Sequence, residues 1–315
     1  MITIILQALV PIFFVIALGY LAGKHRTIDN HHVGELNALV MQFALPASLF
    51  VATATTSRER MLSEGNLFLL LGISMMVVYA VWYVLQVRVY RASHGEAAVQ
   101  ALTVSLPNYA AAGLPIVLAV IGSQATVHVA VAIAAGSILP SPITLFILEL
   151  SRKSDGGDGA LSTRLRKAMF EAVAKPIVLA PVLGAFVSLS GLHLDVLVTS
   201  SLQLIGQAAG GVALFLTGLV LSAQPFQLDQ RVTSATLVSN IAQPLLVFGL
   251  TWIIPTPPDI AAVAILLAAL PSGFFGILFG VNYGVASKEA GSMVIASTIV
   301  SLVTVGIAIV LLYPR

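Results

Sequence analysis

The chain has no cysteine among its 315 residues, which removes disulfides, thiolate chemistry and Cys-ligated metal centres together. Charge is scarce too: 9% of residues are charged, where a soluble domain carries about 25%. That shortage excludes an ordinary water-soluble fold. The 15 basic residues form no stripe with interleaved aromatics and the net charge is only +2, so nucleic acid is not an expected partner. No basic residue precedes the first apolar run, which begins Met1, Ile2, Thr3, so a secretory signal is not expected. Gly-x-Ser-x-Gly, His-Glu-x-x-His, the phosphate loop and paired intramembrane aspartates are all missing, which argues against an enzyme. His31 and His32 have no further ligand at metal spacing, and Asp155 and Asp158 stand among glycines as solvated linker, so no metal site is expected.

What the chain does have is long apolar runs, with 58% of its residues hydrophobic. They read as spans at 3–23, 33–54, 66–88, 97–121, 126–149, 172–190, 195–222, 232–254, 260–281 and 289–313. The reading is an all-α polytopic membrane protein of ten transmembrane helices. With both termini outside, 12 of the 15 basic residues, Lys24, Arg26, Arg88 and Arg91 among them, face the cytoplasm. Only Arg58, Arg60 and Arg315 remain outside, a strong positive-inside bias. The longest polar stretch divides the chain into a first unit at 1–151, a cytoplasmic linker at 152–169 and a second unit at 170–315. Five spans on each side force the second unit to enter from the opposite face, so similarity between the halves implies an inverted repeat. Pro11 and Gly19 recur as Pro176 and Gly184 at an offset of 165, and Leu106-Pro107 recurs as Leu270-Pro271 at 164.

Two spans contain helix breakers at membrane depth. The fourth reads Ser105-Leu106-Pro107-Asn108-Tyr109-Ala110-Ala111-Ala112-Gly113-Leu114-Pro115, and the ninth Ala269-Leu270-Pro271-Ser272-Gly273-Phe274-Phe275-Gly276. Proline removes a backbone donor and disfavours helix just before itself, so both spans are expected to be interrupted. Freed backbone groups cannot face hydrocarbon; they line protein or a wet cavity. A kink alone is the plain alternative for one proline, but paired breaks in matching positions point to a transporter's substrate site. Half-helix N-termini after Pro107 and Pro271 would offer amides and positive dipole ends to a carboxylate.

The side chains beside the breaks carry two readings each. Asn108 can hold a carboxylate without burying a permanent charge, or satisfy the broken backbone, or do both. Tyr109 can donate a hydroxyl or simply pack. Ser272, next to Gly273, can bind a second carboxylate or cap its half-helix. Gln42, Asn240 and Gln243 are amides deep in apolar sequence, to be satisfied by neighbouring helices, water or ligand. Glu35, Glu149, Glu171 and Lys175 lie near span ends, which counts against a carboxylate-driven antiporter, and His128 is read as solvated or packed.

At these residues the chain resembles the auxin efflux carrier family, whose plant members export auxin and whose bacterial members carry small carboxylates. Phe43-Ala44-Leu45-Pro46, Ser105 to Pro115, Ala269 to Phe275 and Tyr283-Gly284 carry the resemblance over essentially the whole chain. Leu106-Pro107-Asn108-Tyr109-Ala110, Ala213-Leu214-Phe215-Leu216-Thr217-Gly218 and Gly273-Phe274-Phe275-Gly276 are most similar to the bacterial malonate carrier branch. The resemblance implies two inverted five-helix repeats with helices 4 and 9 broken and crossing, Asn108 at the substrate carboxylate, and elevator-like movement. It also implies a homodimer through helices 2 and 7 in the bacterial inner membrane. The expected cargo is malonate or a related dicarboxylate, with an auxin-like monocarboxylate carrier or a membrane-embedded sensor as rivals. No cofactor is expected, but a dianion without a buried cation calls for a cotransported proton or sodium ion. The span from Leu67 to Gln86 holds no ionisable group except Tyr79 and Tyr83, unlike the plant exporters.

Overall fold

The computed structural model describes residues 2–28, 33–122, 126–151, 170, 174, 176–223, 226–285 and 287–314. The helices in order are α1 (Ile2–Lys24), α2 (Val33–Ala54), α3 (Gly65–Arg88), α4 (His94–Ser105), α5 (Tyr109–Ile121) and α6 (Thr126–Ser151). They continue as α7 (Pro176–Ser190), α8 (Val196–Ala223), α9 (Gln230–Leu250), α10 (Pro258–Ala268), α11 (Phe275–Asn282) and α12 (Lys288–Leu312). Among the described residues there is no strand, only one isolated bridge. The expected linker at 152–169 with Asp155 and Asp158, and also His31, His32, Glu171 and Lys175, lie outside the described residues.

Among the described residues, six helical stretches are long and apolar enough to cross a bilayer by length and composition: Val33–Ala54, Met61–Arg88, Thr126–Ser151, Val196–Ala223, Gln230–Leu250 and Glu289–Leu312. The chain is a multi-pass membrane protein built almost wholly of helix. α4 and α5 are short because the fourth expected span stops at Ser105 and restarts at Tyr109; α10 and α11 are the two parts of the ninth.

Prolines also explain three wide turns. The π-helical stretches Leu39–Ala44, Tyr109–Gly113 and Val238–Ala242 end two residues before Pro46, Pro115 and Pro244. A proline ring clashes with the carbonyl four residues back, here on Gln42, Ala111 and Asn240, and the ladder widens to accommodate it.

Two packing groups follow. α1 lies along α8, and α7 along the second half of α2. Backbones touch there: a Cβ on Gly19 would overlap the Phe215 carbonyl, and one on Gly218 the Ile16 carbonyl. On the other pair a Cβ on Gly184 would meet Thr53 Oγ1 and lie 2.6 Å from the Phe50 carbonyl oxygen. Adding 165 takes Gly19 to Gly184 and Phe50 to Phe215, so the same contact is made twice. Small residues of this kind let membrane helices approach closely where no hydrophobic force drives them together. The second group, α3, α4, α6, α9, α10 and α12, packs around the two interruptions.

Candidate substrate site

The two breaks meet. Leu106 is extended, at φ −104° and ψ 101°, and Pro107 and Ser272 form an antiparallel bridge. The Asn108 amide donates to the Pro271 carbonyl at 2.8 Å, and the Gly273 amide to the Leu106 carbonyl at 2.8 Å. Each strand-like piece therefore satisfies backbone groups that the other's proline leaves without a helical partner. Gly273 is required by this approach, since a Cβ there would lie 2.6 Å from the Leu106 carbonyl oxygen. Gly113, one turn into α5, passes against the Leu270 side chain.

Asn108 is buried at 3% exposure and caps α5, its Oδ1 accepting from the Ala111 amide at 3.2 Å. Its own carbonyl accepts from the amides of Ala112 and Gly113 at 3.0 Å each. Tyr109 is buried and its hydroxyl donates to Met75 Sδ at 3.7 Å.

α9 and α12 pin the crossing from behind. Gln243 Nε2 donates to the Ser105 carbonyl, the last of α4, at 2.8 Å. Ser297 Oγ accepts from the Ser272 amide at 2.9 Å and donates to Asn240 Oδ1 at 2.6 Å, while Asn240 Nδ2 donates to the Ser297 carbonyl at 3.0 Å. Two buried oxygens in this region, Ser105 Oγ and Gln243 Oε1, have no hydrogen-bond partner. Pro107, Asn108, Pro271, Ser272, Gly273, Asn240 and Gln243 thus share one constellation, with Tyr109 beside it. Gln42 does not join them; it is exposed on the π-helical stretch of α2.

A cavity of about 840 Å³ opens between the two packing groups. Ser48 and Thr55 of α2, Pro115 of α5, Thr126 of α6, and Gln203 and Gln207 of α8 line it, and no acidic or basic side chain does so among its described lining residues. A second, much smaller void of about 30 Å³ lies against Pro107, Tyr109 and Phe275. That is room for about two waters. The larger space falls within the roughly 300–1,000 Å³ typical of small-molecule sites.

Several of these residues escaped sequence reasoning. Ser297 belongs to a row with Ser301 and Thr304, one and two turns on, a polar stripe within an apolar span. Gln207 stands 165 residues after Gln42, the offset that relates the glycine contacts. His128 is not alone either: its Nδ1 stands 2.8 Å from Oε2 of Glu64, and both side chains are buried.

The sequence pattern of the family described as membrane transport protein spans residues 4–309. The uncharacterized transporter YfdV of Escherichia coli (strain K12) is 29% identical over 308 residues, covering 96% of each chain. A putative malonate transporter of Rhizobium meliloti (strain 1021) is 22% identical over 298 residues, covering 94% of this chain and 92% of its own. Auxin efflux carrier component 8 of Arabidopsis thaliana is 22% identical over 357 aligned residues, covering 95% of each. Family and relatives alike describe transport rather than catalysis. The chain belongs to the membrane transport protein family, the auxin efflux carrier family that its crossing motifs resemble.

Proposed function

We propose that this membrane transporter is a secondary carrier of a small organic carboxylate, malonate or a related dicarboxylate, working by elevator-like alternating access. The observation that carries the reading is the pairing of two broken helices, through Asn108 to Pro271 and Gly273 to Leu106, with a cavity reaching α5 at Leu114 and Pro115 and a much smaller void against Pro107 and Tyr109. Unequal space on the two sides of a pair of broken helices is what one state of an alternating carrier requires. The putative malonate transporter among the relatives supports the choice of anion.

In this reading ten spans form two inverted repeats in a bacterial inner membrane, and the doubled contact at offset 165 supports the repeat. With both termini outside, the cavity opens outward. The side-chain amide of Asn108 and the hydroxyl of Ser272 hold one carboxylate at the positive end of α5. The α1, α2, α7 and α8 group stays fixed, as a dimer through α2 and α8, while the group around the crossing slides past it. A proton or sodium ion travels with the anion, since the described cavity lining supplies no compensating cation.

An auxin-like monocarboxylate carrier is the second reading, favoured by the 22% identical plant relative. Radiolabelled malonate uptake into proteoliposomes, with malate and indole-3-acetate as competitors, separates the two. Saturable uptake blocked by malate and not by indole-3-acetate is expected. Indole-3-acetate transport without malonate transport selects the second reading, and binding without flux in either direction selects a sensor.

A further inference from the structure

The Glu64 and His128 pair lies outside the crossing, and no step above uses it. Glu64 immediately precedes α3 and His128 sits in the first turn of α6; Nδ1 and Oε2 are 2.8 Å apart. The side chains are 2% and 4% exposed, and the second carboxylate oxygen, Oε1, is buried with no hydrogen-bond partner. Thr126 and Val127, the two residues before His128, form part of the wall of the large cavity. Both helices belong to the group packed around the crossing.

Oε2 faces Nδ1 while Oε1 faces no donor, so the buried pair has one hydrogen-bonded oxygen and one left unanswered. Adding one proton to imidazole and carboxylate makes the pair neutral, as imidazolium with carboxylate or imidazole with carboxylic acid. Val127, next to His128 in sequence, belongs to the cavity wall, so the pair's approach to water is on the His128 side. Among the described side chains, the charged and titratable groups on elements packed against the pair include Arg58 and Glu59 on the short helix Arg58–Ser63 and Asp259 at the start of α10, all exposed, with Glu35 on α2, His94 and Glu96 on α4 and Arg231 on α9. Arg88 and Glu149 stand at the far ends of α3 and α6, and the phenols of Tyr79, Tyr83 and Tyr109 lie deeper along the bundle. Among the described residues, none of these lies within ion-pair distance of the couple.

We propose that Glu64 and His128 form a one-proton site, loaded from the large cavity, whose proton is carried with the anion. The proposal rests on the transport reading above. No bond other than those to the proton changes: the site takes it from water in the cavity and returns it to water on the other side.

The test uses the full chain in liposomes, with the membrane potential clamped at zero, and reads accumulation of radiolabelled malonate against an imposed pH gradient. One proton per anion adds about tenfold accumulation for each pH unit of gradient. Wild type should follow that slope. Glu64→Gln, which keeps the shape and removes the titration, should lose the slope while homoexchange of malonate across equal pH stays within about twofold; His128→Gln serves if that variant does not fold. A preserved slope in both variants overturns the proposal. A substrate-free arm separates a wrong anion from an absent proton site: pH-difference infrared spectra of the reconstituted protein should contain a carboxyl band that Glu64→Gln removes and His128→Gln shifts. If wild type moves no malonate, that band decides, and spectra identical in wild type and Glu64→Gln overturn the proton site.

Discussion

The α1/α8 and α2/α7 contacts and the crossing of α4/α5 with α10/α11 are held by opposite means. In the first region backbone lies on backbone, with Gly19, Gly184 and Gly218 leaving no space for a Cβ. Such contacts have a single depth and tolerate no added atoms. In the second, helices are cut and their freed groups are answered one by one, by Pro271, Leu106, Gln243 and Ser297. A region of close backbone contact suits a fixed frame; a region of directed hydrogen bonds, with oxygens to spare, suits a site that accepts a polar ligand.

The sharpest break in that contrast comes from enlarging a frame glycine. Gly218→Val should cost about 3 kcal/mol or more, because the Ile16 carbonyl cannot move out of the way; Gly184→Val should match it if the two contacts are equivalent. Yield of monodisperse protein and its thermal midpoint in detergent would measure both, and a large effect from only one would end the equivalence. Next comes Gly273→Ala at the crossing. Its Cβ would press on the Leu106 carbonyl, so the bridge should open, abolishing malonate counterflow with a stability loss of about 1–3 kcal/mol.

A smaller effect is expected from Gln243→Leu. It leaves the Ser105 carbonyl unanswered but also removes a buried oxygen with no partner, so the net cost should be about 1 kcal/mol, read from the thermal midpoint. Smallest of all is Tyr109→Phe, which gives up one hydroxyl contact to a weak sulfur acceptor. Transport should stay within about twofold and stability within about 0.5 kcal/mol. A large loss of transport there would move the phenol from the packing into the site.

The sequence made some of this legible. Pro107 and Pro271 announce interruptions because proline's missing amide and its ring act locally, whatever surrounds them. The long spans were readable because a bilayer demands length and apolarity. What was hidden is which face each side chain takes. A helix that is apolar all round has no polar stripe to orient it, so Gln42 and Asn240, each the residue four before a proline, looked alike although one is exposed and the other pins Ser297. Ser297 itself was hidden because a serine costs little in a membrane helix and does not stand out. His128 read as a lone solvated or packed histidine because its partner Glu64 is 64 residues away in sequence, and only the packing of α3 on α6 brings the two to 2.8 Å.

The central claim is that the crossing, and not the exposed amide of α2, receives the carboxylate. Equilibrium binding of radiolabelled malonate to purified protein tests it directly, comparing wild type, Asn108→Ala and Gln42→Ala. The cap lost in Asn108→Ala should cost only about 1 kcal/mol of stability, so a folded variant is available. The account predicts affinity at least about tenfold weaker in Asn108→Ala, a loss of about 1.4 kcal/mol, with Gln42→Ala unchanged. Undiminished affinity in folded Asn108→Ala, or a loss confined to Gln42→Ala, would contradict it.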